Sequence, residues 1–261
     1  MRIALGLEYD GRPFCGWQSQ ADVPAVQDSL EGALARIAGH PVRVHAAGRT
    51  DTGVHASGQV VHFDTDAMRP LGAWVRGVNS ALPASIAVLW AQPVPDAFHA
   101  RFSASGRHYR YLLLDRPSRP ALAAGLVGWF HLPLDVVRMT EAARALIGEH
   151  DFSSFRAAGC QAKSPVKMLH RLDIVRDGVL LQFDLHANAF LHHMVRNIVG
   201  ALVEVGCGRR GSDWPARLLA ARDRSQGSPT FAAGGLYLTG IDYDAAWGLP
   251  DPATPPRGLP L

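Results

Sequence analysis

Nine consecutive residues, Ala47 to His55, carry the densest chemistry in the chain: Ala-Gly-Arg-Thr-Asp-Thr-Gly-Val-His. Asp51 lies between Gly48 and Gly53, with Arg49 two positions before it. Glycines let a backbone turn sharply or approach another group closely, so the aspartate is expected on a loop where its carboxylate is available. A cation within a few ångströms lowers a carboxyl pKa by roughly 1–3 units. Arg49 is therefore expected to keep Asp51 ionised, as a nucleophile requires and a general acid does not. Asp51-Thr52-Gly53 also matches the triplet of aspartic proteases. Those enzymes share one proton between two close carboxylates, a neighbouring cation opposes that sharing, and no second Asp-Thr-Gly or Asp-Ser-Gly occurs here.

Further groups suit a polyanionic substrate. Tyr109 and Tyr111 are two apart on an expected strand, so their rings face one side, and Arg107, His108 and Arg110 crowd the same stretch. Basic groups interleaved with aromatics suit nucleic acid, although an ordinary core-facing aromatic pair would read the same way. A helix expected from Asn188 to Val205 has an apolar stripe of Leu191, Met194, Val195, Ile198 and Leu202. Arg196 falls opposite that stripe, near His192, His193 and Gly200. From the pattern alone that is a solvated polar face, and its functional reading turns Arg196 toward the aspartate or toward phosphates. Gly16-Trp17-Gln18 is either a rigid loop near the substrate or a buried tryptophan anchoring a connection. The segment from Ala157 to Met168, with both lysines, reads as a mobile basic loop or a surface insertion.

These groups need positioning elements. Ile3–Tyr9 reads as a strand and Pro24–Ala38 as a helix, with Val26, Leu30, Leu34 and Ile37 on one face and Gly39 to close it. Strands are expected at 42–46 and 59–63 on either side of the Asp51 loop, a helix at 74–82, and a strand at 86–90. A second series follows: a strand at 108–114, a helix at 134–147, a hairpin around Asp177-Gly178, the helix at 188–205, with Asn188 as its cap, and a strand at 236–243. Both halves mix strands and helices in similar order. The expected fold class is α+β: two tandem, related α/β-sandwich domains, mixed or antiparallel sheets flanked by helices, with an active-site cleft between them. The expected divisions are 1–104, carrying the aspartate loop, 105–246, and a proline-rich tail at 247–261.

Composition narrows the class. The 261 residues are 48% hydrophobic, enough for a real core. The N-terminal apolar stretch is too short for a signal peptide, and no run approaches the ~20 apolar residues of a membrane span. Cys15, Cys160 and Cys207 form no CxxC pair, which disfavours a disulfide framework or zinc site and fits a reducing cytoplasm. No metal is expected: no HExxH occurs, and adjacent His192 and His193 read as a polar helix face. Net charge is +3, carried by 24 arginines and only two lysines, Lys163 and Lys167. Base composition of the genome accounts for that ratio but not for local clusters.

The chain resembles the tRNA pseudouridine synthase A (TruA) family. The matching segments run in order: Glu8-Tyr9-Asp10-Gly11 with Gly16-Trp17-Gln18, Gly48 to Asp51 with Gly53-Val54-His55, Gly58 to Phe63, Phe98 to Phe102, Tyr109-Arg110-Tyr111, Asp151-Phe152, His192 to Asn197, and Gly235 to Leu238. The resemblance implies a cofactor-free isomerase that converts uridine to pseudouridine at positions 38, 39 and 40 of the tRNA anticodon arm. It implies Asp51 as the catalytic aspartate, and Tyr109, Arg49 and Arg196 as substrate-binding residues. It also implies a homodimer whose basic clefts receive tRNA. A noncatalytic RNA-binding protein on the same fold is the competing reading. One departure stands out: the family usually has Ala where this chain has Thr52, whose side chain is expected to point away from the uridine.

Overall fold

A computed structural model describes residues 1–250; most of the proline-rich tail lies outside the described residues. The described residues divide into two compact units, one of residues 1–105 together with 237–250 and one of residues 106–236. The strand at the C-terminal end thus belongs largely with the N-terminal unit. Each unit is a sheet with helices packed against it, an α+β architecture. No helix among the described residues is long and apolar enough to cross a membrane.

In the first unit, β1 (Arg2–Tyr9) is central, flanked antiparallel by β4 (Ile86–Val94) and β3 (His55–Asp64). Strand β10 (Leu236–Tyr243) runs parallel to β3, with Tyr237 opposite His55. The two-residue β2 (His45–Ala46) pairs antiparallel with β3. Strand β1 is buried on both faces from Ile3 to Leu7, which is why it reads as a near-continuous apolar run rather than an alternation. Helix α1 (Val26–Ala38) presents Val26, Leu30, Ala33 and Leu34 to the core and ends at Gly39, whose φ of 80° is left-handed. The expected helix at 74–82 is present as one π-type turn, Ala73–Gly77, running into α2 (Val78–Ala81).

In the second unit, β5 (Ala104–Asp115), β9 (Leu180–Ala187), β8 (Val166–Asp177) and β7 (Gly148–Asp151) form an antiparallel series. The short β6 (Gly128–Phe130) adds parallel to β5. Gly178 takes φ 57° in the turn between β8 and β9, as the Asp177-Gly178 signal predicts. Helices α3 (Val136–Ala143), α4 (Met194–Gly206) and α5 (Trp214–Ala221) complete the unit. Tyr111, Phe183, Leu185, Ile198 and Leu202 are all buried. Fully burying a side chain of this size contributes roughly 1.5–3 kcal/mol.

Three expectations need correction. The strand expected at 42–46 shrinks to His45–Ala46. The helix expected from Asn188 begins only at Met194, because His193 takes a left-handed conformation (φ 63°, ψ 2°) that stops helical hydrogen bonding there. Asn188 does not cap it: its side chain accepts from Met168 N at 3.1 Å. The polar face of α4 is also not solvated. A Cβ on Gly200 would lie 2.8 Å from the Pro229 carbonyl, so the chain at 228–231 crosses the helix at the position where it has no side chain.

Candidate active site

Asp51 sits in the loop between β2 and β3, half-buried. Its backbone is fixed from three sides. Val54 N donates to Asp51 O at 3.1 Å, closing a turn in which Gly53 takes φ 76°. Trp17 N donates to Thr50 O at 3.0 Å. The buried Thr50 hydroxyl shares a 2.8 Å hydrogen bond with the Tyr9 hydroxyl. Thr50 is turned inward, while Arg49 before it and Thr52 beyond Asp51 are exposed. The turn places Arg49 on the surface, two residues before the half-buried Asp51.

The residues that hold the turn were not singled out as site residues from the sequence. Gln59, fully buried, is the first: its Nε2 donates to Gly48 O at 2.6 Å, while its Oε1 accepts from Gly48 N at 3.4 Å and Val60 N at 3.2 Å. One carboxamide thereby satisfies both backbone groups of the glycine that opens the loop. Tyr9 lies 3.5 Å from Gln59 Nε2; burial pushes its hydroxyl up to about 12, partly offset by its bonds to Thr50 and Gln59, so it stays neutral. Gly16, at φ 94°, approaches so closely that a Cβ there would lie 2.8 Å from Thr50 O. Trp17, 2% exposed, is the buried anchor that the sequence offered as one of two readings, and its backbone also grips the loop. Gly11 N donates to His55 Nδ1 at 3.1 Å, and a Cβ on Gly11 would meet Val54 O at 2.1 Å. The signal was present in the sequence, since these residues sit in the Glu8–Gly11, Gly16–Gln18 and Gly58–Phe63 segments. What it lacked was any indication of who bonds to whom.

The other two expected site residues lie in the second unit. Tyr109 is half-buried on β5, its ring edge-on to Phe190 at 5.0 Å. Tyr111, on the same side of the strand, is fully buried and donates to Ala232 O at 2.7 Å. Of the aromatic pair, then, Tyr111 is a core residue and burial pushes its hydroxyl far up. Arg110 pairs at 2.8 Å with Asp184, its direct neighbour on β9, so part of the basic cluster is neutralised within the sheet.

Arg196 lies in the first turn of α4, and its Nε donates to Phe231 O at 2.8 Å. The segment that orients it is itself held by Arg224, whose guanidinium reaches Asn197 Oδ1, Ser228 O and Thr230 Oγ1 at 2.8–3.2 Å. An open groove of about 640 Å³ lies against this network, lined by residues 157–159, His192, His193, Arg224, Ser225 and residues 227–230. Its charged and titratable lining is cationic or imidazole, and no carboxylate contributes, which suits an anionic ligand. The loop at 157–168 is organised rather than a loose insertion. Ala157 N donates to His192 O at 3.0 Å, Arg156 Nη2 caps the Cys160 and Ala162 carbonyls at 2.5 and 2.9 Å, and Lys167 Nζ bonds two more carbonyls at 2.8 Å.

Comparison with known proteins agrees with this geometry. A family model described as tRNA pseudouridine synthase matches residues 7–103 and 142–244. The chain is 63% identical over 251 residues to tRNA pseudouridine synthase A of Chromobacterium violaceum, covering 96% of each chain. It is 61% identical over 250 residues to the protein of the same name from Aromatoleum aromaticum, covering 96% of this chain and 95% of that one. With the matched model spanning most of its length, this chain belongs to the tRNA pseudouridine synthase family.

Proposed function

We propose that this chain converts uridine to pseudouridine at positions 38, 39 and 40 of the tRNA anticodon stem-loop, with Asp51 as the catalytic residue. As a member of its family the chain is an isomerase. The net reaction breaks the bond from N1 to the ribose C1′, turns the uracil, and joins C5 to C1′ while the C5 proton is replaced by one on N1. Atoms and electrons balance without a redox partner, so a cofactor-free enzyme fits the chemistry. A carboxylate can attack carbon or accept the proton, and either role needs it held rigidly at a reachable position. The observation that carries the reading is the Asp51 turn, whose backbone is bonded to Trp17 and Val54 and whose side chain is left half-buried.

The target base must leave its stack, at a cost of a few kcal/mol. Stacking on Tyr109 contributes in the opposite direction, roughly 1–3 kcal/mol for one base. Arg196, oriented by the Phe231 carbonyl, and the exposed Arg49 are assigned to the substrate phosphates. The enzyme works in the cytoplasm as a homodimer. Incubation with unmodified tRNA, without ATP or added metal, followed by pseudouridine mapping tests the proposal. Product with the wild type and none with Asp51→Asn supports it; tRNA binding without product would leave a noncatalytic RNA-binding protein.

A further inference from the structure

The first unit carries an aromatic arrangement that the active site does not use. His62, 1% exposed, makes ring contacts with His45 at 5.0 Å and His99 at 4.6 Å. His99 in turn meets His45 at 5.4 Å and Phe102 at 4.3 Å. The series runs from the core to the surface and ends at Phe102, a large apolar side chain 77% exposed.

The turn that holds Phe102 out is tightly bonded. Ala100 N donates to His62 Nδ1 at 3.1 Å. Arg101 N and Phe102 N both point to His99 Nδ1, at 3.2 and 3.4 Å. Ser103 closes the turn with N to His99 O at 2.8 Å, and its Oγ accepts from His99 N at 3.0 Å. The backbone donors from His99 to Ser103 are thus all satisfied, four within the turn and Ala100 N by His62. Phe102 is exposed by construction rather than by looseness of the chain, and its ring is backed at 32° by an imidazole. The Arg101 guanidinium lies 5.8 Å from the Phe102 ring centroid. A rigid exposed ring with an arginine beside it has the elements of a nucleic-acid stacking platform: a π-face for a base and a cation for its phosphate.

We propose that Phe102 is a docking point for an unpaired base of the RNA substrate, stacked as the outermost rung on His99, with Arg101 at the adjoining phosphate. The proposal rests on the RNA-modifying reading above and concerns binding, not chemistry.

The test compares wild type, Phe102→Ala, Phe102→Trp and, as a surface control, Leu122→Ala, which removes a side chain 93% exposed in the other unit. Affinity is measured for an unmodified tRNA transcript and for a blunt RNA duplex, with thermal unfolding and sedimentation of each protein without RNA. Phe102→Ala is expected to weaken tRNA binding about 5- to 150-fold, the equivalent of one stacked base. Phe102→Trp should retain affinity, and duplex binding should not respond. Unchanged tRNA affinity in a folded Phe102→Ala protein overturns the proposal, as does equal weakening for duplex. A changed oligomeric state without RNA also overturns it, by making the ring a contact between copies of the chain. Pseudouridine formation by the wild type is scored separately: its absence rejects the functional reading, while the binding series still decides the role of Phe102.

Discussion

In the first unit Asp51, the proposed catalytic residue, rides on a turn fixed by buried side chains. Tyr9, Thr50 and Gln59 are all buried: the Tyr9 hydroxyl bonds the Thr50 hydroxyl, and Gln59 bonds both backbone groups of Gly48. In the second unit the proposed substrate-binding side chains stand on regular elements, Tyr109 on a strand and Arg196 in the first turn of a helix. Arg196 is oriented by a crossing segment, through Phe231 O and the Arg224 network, and the Tyr109 ring packs edge-on to Phe190. Placement of the candidate residues thus depends on a few local bonds in one unit and on tertiary packing of distant segments in the other. Changes to the first should strike turnover, and changes to the second should strike substrate affinity.

The sharpest test of that division is Asp51→Asn. Loss of the proposed catalytic carboxylate should lower single-turnover product formation on the order of 10³-fold or more, with tRNA affinity within a few-fold of wild type. A parallel loss of affinity would break the comparison by making Asp51 a binding residue as well.

Acid sensitivity tests the scaffold of the first unit. Burial, then the neighbouring His99, lowers His62 from its ordinary 6.5 to about 4. The unfolded chain therefore takes up a proton that the folded one refuses. From this group, stability should be constant above about pH 6.5, fall as pH drops toward about 4, and be lower by about 3 kcal/mol below it. Denaturation measured from pH 7 to 4 should show this slope, and His62→Gln should flatten it. An unchanged slope would place the acid lability elsewhere.

Gln59→Ala removes the groups that satisfy both backbone atoms of Gly48. A buried partner left unsatisfied costs about 1–3 kcal/mol, measurable by urea unfolding, and turnover should fall more than tRNA affinity. The opposite pattern would mean that the loop bonds serve binding. The smallest effect is expected from Thr52→Ala. Its side chain is exposed, so turnover should change less than tenfold; a larger change would put the residue in contact with the uridine.

Much of this was legible in the chain itself. Helix α1 and its Gly39 stop, the hairpin at Asp177-Gly178 and the strand Leu236–Tyr243 follow from periodicity and turn chemistry. The Asp51 loop was legible because glycine, arginine and aspartate fall within a few residues. The start of α4 was not, since a left-handed His193 is a strained choice that local propensity does not favour. Nor was the fate of Arg49, because adjacency in sequence does not say which of two neighbours the fold turns inward, and here the Thr50 hydroxyl finds a buried partner in Tyr9.

By itself, then, the sequence determined the α+β class, the element order and the family, since these depend on short-range pattern and on motifs that stay contiguous along the chain. Only the tertiary structure decided that Gln59 and Tyr9 hold the Asp51 turn, that Tyr111 is core while Phe102 is displayed, and that residues 228–231 cross α4 at Gly200. Each of these depends on partners tens of residues apart. Which partner satisfies a buried donor or fills a missing side chain is settled by packing in three dimensions, and no local spacing encodes it.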